Sequence, residues 1–327
     1  PPLCNTRSGT VHMAIELEPQ FYSGWEGFRL YDDVLDAGII PAPGGRLISL
    51  KYKGTELLFV QSEHEGENLT LEFSDLEELR AAKLDIGFRV WGGDKTWVAP
   101  QSDWWEAIPP LDLDAGHYAP GIEDNAVFLL SPVCRETGLR IMRRIEMHPG
   151  GELYLCQQLR NVSTADVERG IWDVTQMLRP CDVYIPAKLE HVNPVVGEGD
   201  SAAHMPTVVS ARDGWVRIRC DAAVHFKYGI VPARGELLVV RPNGDHSIGM
   251  LRTFDTGSNG QAQFAHGAQV EVYNSPAMNY LEVEIHAPLQ MIPPGGQVEH
   301  KQIWRIGQLP LDVDPQEARR LLSTDPQ

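Results

Sequence analysis

The chain has 327 residues, of which 43% are hydrophobic, and 28 Lys and Arg against 45 Asp and Glu give a formal net charge of −17. This length can bury a core in one large domain or two smaller ones. The acidic balance argues against nucleic acid or an anionic membrane as a partner. No stretch approaches the roughly 18 apolar residues of a transmembrane helix. We therefore expect a cytoplasmic protein, or a periplasmic or secreted one if a leader has been removed.

Known site motifs are scarce. The five cysteines are scattered and lack a C-x-x-C pair, which disfavours a disulfide framework and a thiolate metal site and favours reduced, mostly buried thiols. The histidines show none of the spacings that indicate a metal site. The local signatures of serine hydrolases, P-loop enzymes and dinucleotide binders are absent. The sequence predicts no metal and no cofactor.

From Phe28 to Ile306 the pattern is that of short strands separated by turns. Apolar and polar residues alternate with a period of two, which predicts sheets with one buried and one wetter face. The clearest runs are residues 46–52, 139–147, 152–159 and 215–220. Gly, Pro, Asn and Asp mark the turns at residues 149–151, 242–245 and 293–296. This pattern predicts an all-β sandwich or barrel.

Helical signals are few. Residues 74–77 form a capping-box pattern that opens a short helix to about residue 83, and residues 314–317 repeat the pattern before residues 318–322. We interpret both helices as lids or edge covers. No linker separates two domains, so we expect a single domain over residues 13–327 and a flexible N-terminal segment over residues 1–12.

The densest unusual segment spans residues 90–105. It holds four of the eight tryptophans, interleaved with Asp94, Lys95, Gln101 and Asp103. Sugar rings present apolar faces and hydroxyl groups, so a sugar site needs flat aromatic platforms beside charged or amide groups. The segment supplies both. The alternative is a Trp-rich core segment at one end of a sandwich.

Two later strands carry further candidates. In residues 171–177, Asp173 and Thr175 would share one face of a strand and Trp172, Val174 and Gln176 the other. A structural role for a buried, hydrogen-bonded Asp173 or Thr175 is an equal alternative.

The second of these strands spans residues 280–286. Here Glu282, Glu284 and His286 would share one face, and Leu281, Val283 and Ile285 the other. This polar face suits a pocket that moves protons. The alternative is a half-exposed strand with a solvated polar face.

Residues 44–58 resemble the opening hairpin of galactose mutarotase-like proteins, the aldose 1-epimerase superfamily, in which a Gly-Gly turn feeds a strand and a "kG.ELL" segment. The Gly92-Gly93 loop, the strand from Trp172 to Gln176, and Leu281-Glu282 followed by residues 293–295 occur in the order of that family. The resemblance extends to an uncharacterised branch with a "GGDKTW.APQ" loop and an "LEvE…PG" strand. It covers roughly Phe28 to Ile306.

The resemblance implies a large antiparallel β-sandwich, the galactose mutarotase-like supersandwich with a few short helices, whose concave face binds a sugar. In the family a Glu takes a proton from the anomeric hydroxyl while a His protonates the ring oxygen. That Glu corresponds to Glu282, and a neighbouring Glu284 should push one of the two pKa values upward. The family's histidines are matched by Asp94-Lys95 and by residues 172–176. The acid is therefore Lys95, His117 or His286, or is missing.

The sequence thus predicts a carbohydrate-binding protein that acts as an aldose 1-epimerase-like mutarotase. Lys95 and Lys227 favour an acidic or modified sugar. The predicted catalytic residues are Glu282, Asp94, Lys95 and Asp173, and the predicted binding residues are Trp97, Gln101, Trp104, His117, Thr175, Gln176, Lys227, Glu284 and His286. The alternatives are a non-catalytic sugar-binding or regulatory protein and a sugar lyase on the same fold.

Overall fold

The structure is a computed structural model that describes residues 15–257 and 262–323. The predicted N-terminal segment, residues 1–12, and Cys4 lie outside the described residues. The four described cysteines are free, and three of them are buried.

Two large antiparallel sheets face each other, as the strand pattern predicts. The first sheet has the order β1-β2-β3-β4-β6-β11-β20-β19-β16-β13, with β5 paired to β4 and β21 to β11. Its strands are β1 (Glu16–Tyr22), β2 (Trp25–Tyr31), β3 (Leu35–Ile40), β4 (Arg46–Tyr52), β5 (Thr55–Glu56), β6 (Asp94–Ala99), β11 (Val167–Leu178), β13 (Val192–Gly199), β16 (Phe226–Ile230), β19 (Val270–Asn274), β20 (Tyr280–His286) and β21 (Gln290–Ile292).

The second sheet has the order β14-β15-β12-β17-β18-β22-β10-β9-β8-β7. Its strands are β7 (Ala119–Glu123), β8 (Ala126–Leu130), β9 (Leu139–His148), β10 (Glu152–Asn161), β12 (Cys181–Pro186), β14 (Val209–Arg212), β15 (Trp215–Cys220), β17 (Glu236–Asn243), β18 (His246–Phe254) and β22 (Gln297–Leu309). The all-β sandwich predicted from the sequence is therefore confirmed.

Four short α-helices accompany the sheets in the described part of the chain: α1 (Leu76–Ile86), α2 (Leu111–Asp114), α3 (Ser201–Val208) and α4 (Pro315–Ser323). A capping box opens α1 one residue later than the sequence predicts, with Asp75 in place of Ser74 as the N-cap. The Asp75 side chain accepts from the Glu78 amide, and the Glu78 carboxylate, not Glu77, accepts from the Ser74 amide. None of the described helices has the length and apolar character needed to cross a membrane.

The core lies between the two sheets. In β9 and β10 every second residue is buried, as period-two alternation requires. Strands β6 and β20 and most of β11 differ, because consecutive residues of both faces are buried. One face of these central strands packs toward the second sheet, and the other lies beneath covering loops. That second buried face holds the candidate site.

Candidate functional site

The pairing of the central strands brings polar side chains of five strands to one face. Directly opposed residues of antiparallel neighbours lie on the same side of a sheet. One row runs across β11, β20, β19 and β16 as Gln176, Glu282, Tyr273 and Lys227. A second row runs across β6, β11, β20 and β19 as Lys95, Val174, Glu284 and Glu271, and a third as Trp97, Trp172 and His286. The register therefore assembles the site from residues far apart in sequence.

Of the three carboxylates on β19 and β20, Glu271, Glu282 and Glu284, Glu282 is the one that lines a cavity. Its residue exposure is 9%, whereas that of Glu284 is 0%. The Gln176 amide donates a hydrogen bond of 2.7 Å to Glu282 Oε1, which fixes the orientation of the carboxylate. No ion pair to Glu282 occurs within the described residues, so its charge is free to act on a ligand.

Glu284 and Glu271 share one ammonium. Lys227 Nζ lies 3.0 Å from an oxygen of each carboxylate. The Trp172 indole also donates to Glu284, over 2.9 Å. Burial raises the pKa of Glu284 well above its usual range, against the opposing effect of Lys227. Glu284 therefore carries a raised pKa, chiefly because it is buried.

Lys95 has no comparable partner. Its ammonium is buried at 1% residue exposure and has no hydrogen-bond partner among the described residues. It lies 3.9 Å from the centre of the Trp97 ring, a cation–π contact. Burial lowers the pKa of Lys95 to about 8, and the positive charge of Arg46 acts in the same direction. A lysine in this condition releases a proton far more readily than one in water.

Aromatic rings form the walls of the cavity. It has a volume of about 180 Å³ and is lined by Phe88, Trp97, Gln101, Trp172, Glu198, Lys227, Tyr273, Tyr280 and Glu282. Trp97 meets Trp172 edge-on with ring centres 5.0 Å apart, and Trp104 stacks on Trp172 from behind at 5.5 Å. Flat apolar walls beside a carboxylate and an amide are the surfaces that a sugar ring requires.

Three predicted site residues lie on the opposite face of the same strands. Asp94 pairs with Arg143, and Asp173 pairs with Arg252, in the space between the two sheets. Thr175 joins the pairs, since its hydroxyl donates to Asp94 over 2.7 Å and accepts from Arg252 over 2.7 Å. The structure therefore places Asp94, Asp173 and Thr175 in a core network and not in the cavity, and we do not retain their predicted roles.

The other predicted residues divide in the same way. Trp97, Gln101, Lys227 and Glu282 line the cavity. Gln176, Lys95, Glu284 and His286 lie on the same face around it. Trp104 supports the aromatic wall, with its indole donating to the Val98 carbonyl over 2.8 Å. His117 is exposed and lines a separate groove with Phe21 and Phe28, so the structure does not bring it to the site.

Several residues of the site, in the cavity wall or beside it, were absent from the sequence-based prediction. Glu271 and Tyr273 lie on β19, next to β20 in the sheet. Phe88 precedes β6, and Glu198 is the last residue but one of β13. The alternation in residues 270–274 was the one available signal, because it puts Glu271 and Tyr273 on the face opposite Val270 and Val272.

A larger cavity, of about 560 Å³, lies on the outer face of the second sheet beside α4. Its walls include Arg212, Arg217, Asp312 and Asp314, and none of these four side chains is buried. Buried groups with shifted pKa values indicate a catalytic site better than the volume of a cavity does. We therefore assign the candidate site to the smaller cavity.

No family model and no curated protein matches the chain. Solved structures do match it along nearly its whole length. The Slr1438 protein from Synechocystis sp. PCC 6803 superposes with a TM-score of 0.56 at 12% identity, covering 88% of this chain and 98% of that protein. A galactose mutarotase-like protein from Lactobacillus casei ATCC 334 gives a TM-score of 0.55 at 10% identity, with coverages of 85% and 99%.

A galactose mutarotase-like protein from Clostridium acetobutylicum gives a TM-score of 0.52 at 9% identity, covering 90% of this chain and 99% of that one. At these identities the likeness establishes the fold. The chain has the galactose mutarotase-like fold that residues 44–58 and the later motifs indicate.

Proposed function

We propose that the cavity binds an aldose and interconverts its anomers, with Glu282 as the general base and Lys95 as the general acid. The observation that carries the proposal is the pairing pattern around the cavity. Glu282 and Lys95 are the two charged groups of this face without an ion-pair partner in the described structure, and they are of opposite sign. Acid–base catalysis needs one group to take a proton and another to give one.

The chemistry balances with these two groups alone. Glu282 takes the proton of the anomeric hydroxyl, and Lys95 gives a proton to the ring oxygen as the bond between that oxygen and C1 breaks. Rotation about C1–C2 turns the other face of the aldehyde toward the ring oxygen. Closure returns one proton to Lys95 and one to the new anomeric hydroxyl, so the protein ends unchanged.

The charges favour a neutral sugar over the acidic sugar expected from the sequence. Lys227 is already held by Glu271 and Glu284, so its charge is not available to a ligand carboxylate or phosphate. Glu198 and Glu282 add negative charge at the wall. A sulfate or carboxylate on the ligand would meet repulsion there. The same reasoning disfavours a lyase that acts on acidic oligosaccharides.

The experiment is anomer exchange of glucose and galactose followed by NMR, with the uncatalysed rate subtracted. We expect Glu282→Gln to lower the exchange rate by about 10²-fold or more, because a positioned base contributes roughly 10² to 10⁴. Glu299→Gln is the matched control, since Glu299 lies on the outer face of the second sheet and pairs with Lys301. A loss of less than about tenfold in Glu282→Gln would count against Glu282 as the base.

A non-catalytic sugar-binding protein is the second candidate. The observation in its favour is the depth of the Lys95 ammonium, at 1% residue exposure. It predicts that calorimetry detects sugar binding in the wild type while the exchange rate equals that of the buffer. Exchange above the buffer rate that depends on Glu282 would exclude it.

A further inference from the structure

Beside the sugar cavity, three potential metal ligands converge from separate segments. His266 precedes β19, Glu271 lies within β19, and His286 ends β20. Their ligand atoms all lie within 4.8 Å of one another. The Glu271 carboxylate is 3.2 Å from His266 Nδ1 and 3.2 Å from His286 Nε2. We propose that these three residues bind a divalent transition-metal ion of the Zn²⁺ type.

The spacing fits such an ion. Zinc binds imidazole nitrogen at about 2.0–2.1 Å and carboxylate oxygen at about 2.0–2.2 Å, so ligands at tetrahedral angles stand about 3.4 Å apart. Two of the three separations in the cluster are 3.2 Å, and none exceeds 4.8 Å. Two His and one carboxylate are also a common ligand set for catalytic zinc and for non-haem iron.

The charge around the cluster calls for a cation. Glu271, Glu282 and Glu284 are all at most 9% exposed. Among the described residues, Lys227 is the one ammonium within ion-pair distance of Glu271 and Glu284. Buried carboxylates in excess of their cations are costly. A divalent ion on Glu271 would give that carboxylate a second cationic partner and leave Lys227 to Glu284 alone.

The residues around the cluster hold the two imidazole rings in place and leave a path from solvent for a metal ion. The Trp172 ring stacks on His286 with centres 5.0 Å apart and meets His266 edge-on at 4.9 Å. His286 is fully buried, and its Nδ1 has no partner in the described structure, so Nε2 is the nitrogen that faces Glu271. The His266 side chain remains 22% exposed, which gives an ion a path from solvent and room for a water ligand.

An ion at this position would fix the segment before β19 to the sheet directly behind Trp172. Trp172 is a wall of the sugar cavity. The site is distinct from Glu282 and Lys95, and it does not depend on anomer exchange being the activity.

The test uses the full chain after chelator treatment. Co²⁺ is titrated with detection of its visible absorption, and Zn²⁺ is then titrated by calorimetry. We expect one saturable equivalent of each metal. His266→Gln should weaken binding by at least about tenfold, since it removes one of three ligands from a partly exposed position. His191→Gln, at an exposed histidine beside Glu190, should bind as the wild type does.

Thermal unfolding gives a second readout that does not depend on spectra. At one fixed Zn²⁺ concentration above the wild-type Kd, the Tm of the wild type should rise by a few degrees and that of His266→Gln by clearly less, because stabilisation by a ligand grows with the ratio of its concentration to the Kd. The absence of saturable binding in the wild type would overturn the proposal. Equal affinity in His266→Gln and the wild type would overturn it as well, and the cluster would then be a hydrogen-bonded histidine pair on Glu271.

Discussion

Both faces of the central sheet carry buried polar side chains, from β6 and β11 toward the second sheet and from β6, β11 and β20 toward the cavity, and the two faces differ in how the charges are paired. Toward the second sheet, Asp94 and Asp173 each meet a buried arginine, Arg143 and Arg252. Toward the cavity, Glu282 has an amide partner and Lys95 has an aromatic ring. Paired charges of this depth hold the sheets together, and unpaired ones are available for reaction.

The largest expected effect tests the paired side. Arg143→Met should lower the free energy of unfolding by about 3–5 kcal/mol, because it leaves the fully buried Asp94 without its cation. Arg144→Met, one residue along β9, should cost no more than about 1 kcal/mol, because its partner Glu146 lies on the outer face. Chemical denaturation of both variants measures the difference. Equal stabilities would mean that the inter-sheet pair contributes little.

The alternation of the sequence was enough to separate the two faces. It put Glu282, Glu284 and His286 together on β20, and it separated Asp173 and Thr175 from Trp172 and Gln176. A period of two defines two faces without saying which one meets the other sheet. In β20 one face is wholly apolar, so that face must be the one that packs in the core. The family resemblance then indicates which residue of the polar face, Glu282, is the predicted base.

The remaining positions depended on contacts distant in sequence. Asp94 faces the core because it pairs there with Arg143, which is 49 residues away in sequence. Asp173 faces the core because it pairs with Arg252, 79 residues away. Neither arginine carries a local signal of that role. Glu271 enters the site through the register that sets it opposite Glu284, which no local pattern encodes.

The next effect tests the unpaired side. Lys95→Met should lower the anomer exchange rate by about 10²-fold or more through loss of the acid, a barrier increase of at least about 2.7 kcal/mol. Its stability should be equal or higher, since a buried ammonium without hydrogen bonds is costly.

Lys83→Met is the matched control for Lys95→Met. Lys83 is equally buried on α1 and pairs with Glu136 at 2.9 Å. The Lys83→Met variant should lose about 3–5 kcal/mol of unfolding free energy and keep the anomer exchange rate of the wild type. Anomer exchange is measured by NMR and stability by denaturant unfolding, on both variants. A Lys95→Met variant that is destabilised but keeps its exchange rate would contradict the assignment of Lys95 as the acid.

The pH dependence gives a third and smaller effect. With the pKa of Lys95 at about 8, the acid is protonated below that pH and lost above it, so the exchange rate over buffer should fall toward tenfold per pH unit above pH 8. The free energy of unfolding should instead rise with pH in this range. The folded state gives up this proton near pH 8 and the unfolded chain only near 10.5, so Lys95 makes stability rise between these values. An unchanged alkaline limb in Lys95→Met would assign that limb to another group.

The smallest effect concerns a cavity residue without a charge. Gln101 lines the wall beside Trp97 and is half-buried. Gln101→Ala should raise KM for the sugar by about threefold to tenfold and leave kcat unchanged, because it removes one hydrogen bond of about 0.5–1.5 kcal/mol that serves the bound sugar and the transition state alike. Ser102→Ala, at the exposed neighbouring position, should alter neither constant. A fall in kcat without a change in KM would instead place Gln101 with Glu282 and Lys95 in the proton transfer, and the catalytic face would then extend beyond the unpaired charges.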